Sequence, residues 1–474
     1  MKALLISITL AVLISTSVSQ TVYTWNGSIN SSFSTAGNWT PFRQYMYASD
    51  ILIIENGGQV NITNVNQITV GQLIIRNYTY VTMTPSSGLP RVLSIQGYSG
   101  DDFVIESGSG LTITGNDPKL SLYMKNGATA AIYGTLTFSG QIAHNINSQD
   151  SLGVRFKNGS FLYQNSIGNV FSNSGAQNSV VFENGSSFVL NNETAASPFG
   201  FSAPASKVKF ERGSNFVIGA VSGSAFKFGG RVLSNIIVQN GLNINILDSL
   251  NTFTCDTLYV PSGSTLKIAN IVPNYLPEIN FRGNLNINGS LILGDPAGAY
   301  HVNLNGTGIQ SILGGGNIQF PENGVLVIDN NIQLFRDLVI NCSLSQNGGS
   351  INSNGFNLTV NGRLNNIANS HGNNQPLPVS KTENNEPKKF SLSQNYPNPF
   401  NSQTIIEFEL PKDSKVSLNL YDINGRLVSE ILNKDLSAGL HNINFDARNI
   451  SSGIYFYTLN TTDYRKTMKM ILVK

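Results

Sequence analysis

The stretch Val180-Val-Phe-Glu-Asn-Gly185-Ser-Ser-Phe-Val-Leu190 holds two apolar alternations hinged on one glycine. Counted from Gly185, Val180 stands at −5, Phe182 at −3, Phe188 at +3 and Leu190 at +5. The same offsets recur around Gly213 (Val208, Phe210, Phe216, Ile218), Gly57 (Leu52, Ile54, Val60, Ile62) and Gly108 (Phe103, Ile105, Leu111, Ile113). They recur again around Gly127 (Leu122, Met124, Ala130, Ile132) and Gly263 (Leu258, Val260, Leu266, Ile268). Gly159 keeps three of the four positions, with Gln164 in the last. A period of two places alternate side chains on one face of a strand, so each unit reads as two half-buried strands joined by a turn. Helical spacing is absent over any useful window, and few helices are expected.

Successive anchor glycines from Gly108 to Gly263 lie 19, 32, 26, 28 and 50 residues apart, the last step fitting two units. Short strands at such a period admit a propeller, a string of sandwiches or a parallel β-helix. Two or three strands per unit with turns of variable length favour the β-helix. The expected fold class is therefore all-β: a right-handed parallel β-helix from residue 50 to 365, of roughly 12–13 coils at about 25 residues each, followed by a small antiparallel β-sandwich. Residues 20–49 contain both tryptophans, Trp25 and Trp39, and are expected to cap the open first coil. A sugar-stacking role for these tryptophans is the less favoured reading. Residues 366–389 lose the alternation, are polar, hold three prolines and read as a linker.

Composition narrows the function classes. Charged residues make up 12% of the chain, about half the usual globular share. Residues 21–370 contain 16 Lys and Arg against 17 Asp and Glu, which argues against a nucleic-acid-tracking surface. Residues 1–19 read as a secretory signal, with Lys2, an apolar run over residues 3–14 and small residues ahead of Gln20. No later stretch is long and apolar enough for a transmembrane helix, so none is expected in the mature chain. Cys255 and Cys342 each alternate with apolar neighbours, about three coils apart, and are expected to be buried free thiols.

Chemistry-bearing residues are sparse. His144, His301, His371 and His441 show no metal-ligand spacing, and no nucleophile elbow, phosphate loop or calcium loop occurs. No catalytic residue, metal or cofactor is expected. The body acids stand singly, apart from the neighbours Asp101 and Asp102, which read as a turn. Glu183 and Glu211 follow equivalent phenylalanines, 28 residues apart, and could approach one another on an outer face. Glycoside cleavage needs two carboxylates at a set separation, so this pair keeps a lyase or hydrolase reading open.

The last 85 residues, 390–474, carry strand-like runs at 404–410, 415–421, 427–432, 440–446, 453–459 and 467–473. Five motifs occur there in order. Asn395-Tyr396-Pro397-Asn398-Pro399-Phe400-Asn401 comes first, then Tyr421-Asp-Ile-Asn-Gly425-Arg and Leu436-Ser-Ala-Gly439-Leu-His. Ser452-Gly453-Ile-Tyr455-Phe-Tyr follows, and the chain closes on Lys469-Met-Ile-Leu-Val-Lys474. This stretch closely resembles the type A C-terminal sorting domain of the type IX secretion system of Bacteroidetes. The resemblance implies recognition by the outer-membrane translocon, removal by a sortase-like peptidase in the linker region, and release or attachment to lipopolysaccharide. The body more loosely resembles the parallel β-helix passengers of surface proteins in these bacteria, with Trp25-Asn-Gly and Gly37-Asn-Trp39 looking like their cap. The expected product is an exported surface or extracellular protein, adhesive or structural, binding glycans or copies of itself. A polysaccharide-cleaving enzyme and a filament subunit are the alternatives.

Overall fold

The computed structural model describes residues 20–192, 198–202, 204–219, 221, 225–248, 252–270, 278–294, 300–365, 389–395, 398–400 and 403–473. The expected signal (1–19) and all but the last residue of the expected linker lie outside them. Among the described residues the only helix is a three-residue 3₁₀ turn, Ala36–Asn38.

The body is a parallel β-solenoid of about 11 turns. Its longest face is a 13-stranded sheet running from Gly58–Val65 to Ile351–Asn352. A second face stacks Ile51–Ile54, Gln72–Ile75, Phe103–Ile105, Ala130–Ile132, Val154–Phe156, Val180–Phe182 and Val208–Phe210 in parallel. The alternation read from the sequence is the packing rule. Val180 pairs with Val154 and Val208, and Phe182 with Phe156 and Phe210, so like sits on like from coil to coil. Phe182 stacks on Phe156 at 4.6 Å and on Phe210 at 5.3 Å between centroids. One contiguous apolar core runs from Tyr23 to Leu358, since each coil can bury its inward residues only against its neighbours.

The hinge has a defined geometry. In the coil of Gly185 the strands Val180–Phe182 and Ser187–Leu190 are joined by four residues, and the Ser186 N–H donates to Glu183 O at 3.0 Å. Gly185 takes φ 77° there, a region costly for residues with a Cβ. The following serine turns inward: Ser186 is fully buried and its hydroxyl donates to Glu183 O. Ser160 and Ser214 repeat this in the adjacent coils. The turns are also bonded to each other, Gly159 N–H to Gly185 O and Gly185 N–H to Gly213 O.

All seven hinge glycines have positive φ, but they do not share one corner. Gly57, Gly108, Gly159, Gly185 and Gly213 join the second face to the longest face. Gly127 instead leads into the second face from a four-stranded third face, joining Leu120–Met124 to Ala130–Ile132. Gly263 leaves the longest face for a five-stranded sheet. The same corner between Gln72–Ile75 and Thr79–Pro85 is turned by Asn77 and Tyr78 at positive φ, and between Gly108 and Gly213 the missing member is Gly134, so the true steps there are 26, 25, 26 and 28 residues. Only Tyr133 and Gly134 form that turn, so its inward residues fall at even offsets: Ala130, Ile132, Leu136 and Phe138. Glycine is required there for space, because a Cβ would lie 2.1 Å from Ser109 O.

The first coil is closed by Val22–Trp25, parallel to Ile51–Ile54 and antiparallel to Trp39–Thr40. Trp25 and Trp39 meet edge to face at 5.0 Å and are 3% and 2% exposed, so neither can stack on a sugar. Behind them Arg43 is buried, with its Cζ 5.5 Å from the Trp39 ring and 5.6 Å from the Tyr23 ring. Its Nε and Nη2 each lie 2.8 Å from Asp50 Oδ2, and Asp50 is equally buried. Burial pulls the Arg43 pKa down, and the bonded Asp50 carboxylate works against that pull.

The C-terminal part is a separate sandwich with its own core, which shares no residue with the body core. A three-stranded antiparallel sheet orders Ser391–Leu392, Gln403–Leu410 and Gly439–Asp446. A four-stranded antiparallel sheet orders Leu427–Leu436, Ser414–Tyr421, Gly453–Asn460 and Arg465–Leu472. Ile406, Phe408 and Leu410 of one sheet and Leu418, Tyr457 and Leu459 of the other belong to its core. Period-2 alternation on both sheets is what lets two layers share that core.

Candidate functional site

The acids that could have formed a catalytic pair are held by cations. Glu183 and Glu211 occupy neighbouring coils, each one residue past the paired phenylalanines Phe182 and Phe210. Glu183 Oε1 lies 3.0 Å from Arg155 Nη1 and 2.9 Å from Lys157 Nζ. Partial burial pushes its pKa up, but the bonds from Lys157 and Arg155 outweigh this and hold the carboxyl below its ordinary value. Glu211 pairs with Lys209 at 3.6 Å, Asp256 with Arg282 at 2.9 Å and Glu55 with Arg76 at 2.7 Å. Asp102 is buried and accepts N–H bonds from Tyr98 and Thr129, whereas Asp101 is exposed. That pair therefore lies in the bend that leads into Phe103–Ile105.

The buried titratable groups are structural. The His144 Nδ1 accepts the Leu120 N–H at 2.9 Å, which leaves Nε2–H to donate to Gly115 O at 3.2 Å. Burial lowers its pKa. The sign follows from linkage: the unfolded chain takes up a proton near pH 6.5 that the folded state resists, so stability falls as pH drops below that value. Between pH 7 and 5.5 the melting temperature of the wild type is expected to fall, and the fall to be smaller in His144→Gln. An equal fall in both would refute the assignment. Lys207 is also buried, with its Nζ bonded to Asn147 Oδ1 at 2.7 Å and Ser174 O at 2.5 Å, and burial pushes its pKa down to about 8. It ties three coils together, a role no local pattern announces.

Cys255 and Cys342 are free and buried. Burial drives both thiols up, Cys342 to about 11, so neither is a poised nucleophile. Among the described residues no group of three or more His, Cys, Asp or Glu could hold a metal ion. No helix among them is long and apolar enough to cross a membrane.

The longest face carries an outward column Tyr80, Gly110, Thr135, Phe161 and beside it Thr82, Thr112, Thr137, Tyr163, each paired across adjacent strands. Phe161 and Tyr163 stack at 5.6 Å. At about 4.8 Å per strand, aromatic rings flank a threonine-lined strip roughly 14 Å long.

In the C-terminal sandwich the motif residues act on the fold itself. Asn395 is buried; its N–H donates to the Tyr457 hydroxyl and its Nδ2 to Thr404 Oγ1. Asn398 Oδ1 accepts the Ile471 N–H at 2.7 Å, and its Nδ2 reaches Lys469 O. Phe400 is buried in the core, and its backbone pairs with residues 471 and 473 of the last strand and beyond. The opening segment is thus latched onto the closing one. Pro399 follows a cis peptide bond. Tyr396, Pro397, Asn401 and Lys474 lie outside the described residues. Gly425 takes positive φ at the hairpin between Ser414–Tyr421 and Leu427–Leu436, Gly439 takes it where the chain crosses from the four-stranded to the three-stranded sheet, and Gly453 starts a strand. Tyr455 OH donates to Ser451 O, and the Lys469 side chain is exposed.

Residues 394–474 match the family of secretion system C-terminal sorting domains. The chain carries a type IX sorting domain. The chain is accordingly a substrate of the type IX machinery, exported to the cell surface or the extracellular space. No curated protein and no solved structure matches the chain. The sorting domain ends a chain whose body is the β-solenoid, and the match does not extend to that body.

Proposed function

We propose that the exported body is a non-enzymatic rod that adheres to glycans through its longest face. The observation that carries this reading is the strip of Tyr80, Thr82, Thr112, Thr135, Thr137 and Phe161. Aromatic faces take up the apolar side of a pyranose ring, and hydroxyls at regular spacing hydrogen-bond its edge. The cation-held carboxylates favour adhesion over hydrolysis, because a paired carboxylate is a poorer base and nucleophile. The capped first coil weighs against end-to-end filaments. On the same reading residues 366–389 are the region cut by the sortase-like peptidase, lipopolysaccharide is the route of attachment, and the Asn395–Asn401 motif is the feature that defines the sorting domain.

The test uses the secreted protein with a panel of polysaccharides and lipopolysaccharide. Retention without new reducing ends or unsaturated uronates is expected. Tyr80→Ala with Phe161→Ala should weaken retention about tenfold, the equivalent of two stacking contacts at about 0.7 kcal/mol each. Sustained release of reducing ends would overturn the adhesive reading.

A further inference from the structure

At one end, the outward side of the four-stranded sheet in the sorting domain is not the polar surface a sandwich normally presents to water, although Ser417, Asn419, Thr458 and Thr467 make the other end polar. Leu427 pairs with Tyr421, Tyr421 with Phe456 and Phe456 with Lys469, while Ile454 pairs with Ile471 in the adjoining row. Residues paired across strands share a face. Their neighbours Leu420, Tyr457, Met470 and Leu472 point into the core, so Tyr421, Phe456, Ile454 and Ile471 point out, and none of the four belongs to the core. Ile454 and Leu427 are 45% and 59% exposed, and Ile423 at the hairpin tip is 69% exposed. Lys469 and Arg465 lie outward on the bordering strand, and among the described residues neither makes an ion pair. Of the opening motif, Asn395, Asn398 and Phe400 are, by contrast, engaged with the domain's own strands.

We propose that the type IX machinery reads this face: an apolar platform of Tyr421, Leu427, Ile454, Phe456 and Ile471, with Lys469 paired to Phe456 and Arg465 further along the same edge strand. Its occupant is a protein component of that machinery bearing an apolar hollow with carboxylates on one rim. The proposal rests on the export route assigned to this domain. Three observations choose this occupant. The family match requires a partner in the export machinery. Asn395, Asn398 and Phe400 are occupied by the domain itself, whereas the platform side chains reach solvent. The free cations on one border fix the charge of the complementary surface. Apolar area of this kind on an exported domain marks an interaction site.

The experiment expresses the full chain in the secreting bacterium and measures the surface and culture fraction against the periplasmic fraction. The double variant Ile454→Thr and Phe456→Thr keeps β-propensity while removing the apolar platform. Its delivery is expected to fall at least tenfold with the melting temperature of the purified chain unchanged. Lys469→Glu with Arg465→Glu should reduce delivery severalfold, an effect independent of the apolar residues. Phe456→p-benzoylphenylalanine should cross-link to a translocon component identified by mass, whereas the same replacement at Ile405, on the other sheet, should not. Wild-type delivery by both double variants, or cross-linking from 405 and not 456, would overturn the proposal; so would a cross-link from 456 only to a second copy of the chain or to lipid. A chain lacking residues 390–474 separates the two readings. If it stays in the periplasm while the platform variants are delivered, the route stands and the platform fails. If it is delivered normally, the route itself fails.

Discussion

Asp50→Ala is expected to destabilise the N-terminal cap by about 3–5 kcal/mol, the cost of leaving one partner of a buried ion pair uncompensated. Arg43 and Asp50 are both almost fully buried, and Asp50 Oδ2 also accepts the Tyr47 N–H at 3.0 Å. Arg43 Nη1 has no hydrogen-bond acceptor, so removal of the carboxylate leaves a cation held only by aromatic faces. Both tryptophans of the chain sit in this cap, and their fluorescence therefore reports the cap alone. A urea titration followed by that signal should show the midpoint fall steeply in Asp50→Ala. The double variant Arg43→Leu and Asp50→Leu should recover much of the loss, because a well-packed apolar pair carries no desolvation cost. A midpoint unchanged in Asp50→Ala would refute the role of the pair.

Removal of residues 390–474 is expected to abolish delivery beyond the outer membrane. The deleted segment contains the whole matched domain. It takes with it a hydrophobic core that shares nothing with the body core, so the solenoid should remain folded in the periplasm. Fractionation together with the circular dichroism of the retained protein checks both halves of the statement. Surface delivery at the wild-type level would refute the export assignment.

The hinge repeat shows how far a local pattern reaches. Alternation around Gly185 identifies inward residues correctly because strand periodicity is a property of the backbone, independent of what lies next door. The same offsets around Gly127 belong to a different corner, since a short glycine turn between alternating strands looks alike wherever in the coil it occurs. The corner at Gly134 escapes the pattern because its two-residue turn moves the inward residues to even offsets. Strand runs in the sorting domain fall within a few residues of the observed strands, as hairpin turns and alternation are both local.

The candidate sites divide along the same line. The glutamates 183 and 211 can be placed in neighbouring coils from their spacing, and Lys209 lies only two residues before Glu211, but the chemistry of Glu183 depends on Arg155 and Lys157, whose reach is set by strand register. The Arg43–Asp50 pair and the Lys207 clamp join residues whose partners are chosen by packing in three dimensions. The Asn395–Asn401 motif can be read as a family signature, yet that Asn398 and Phe400 engage their own fold is visible only once the last strand is in place.

By itself the sequence determines that the body is a stack of alternating strands and that the tail is an export signal, because both rest on periodicity and on motifs contained in short segments. Which corner each glycine turns, which carboxylates are neutralised and which face of the sorting domain stays apolar and open were decided by the tertiary structure. Those properties depend on contacts between coils and between strands, such as Arg155 with Glu183 and Tyr421 with Phe456, and only the register of stacked and paired strands brings such residues together.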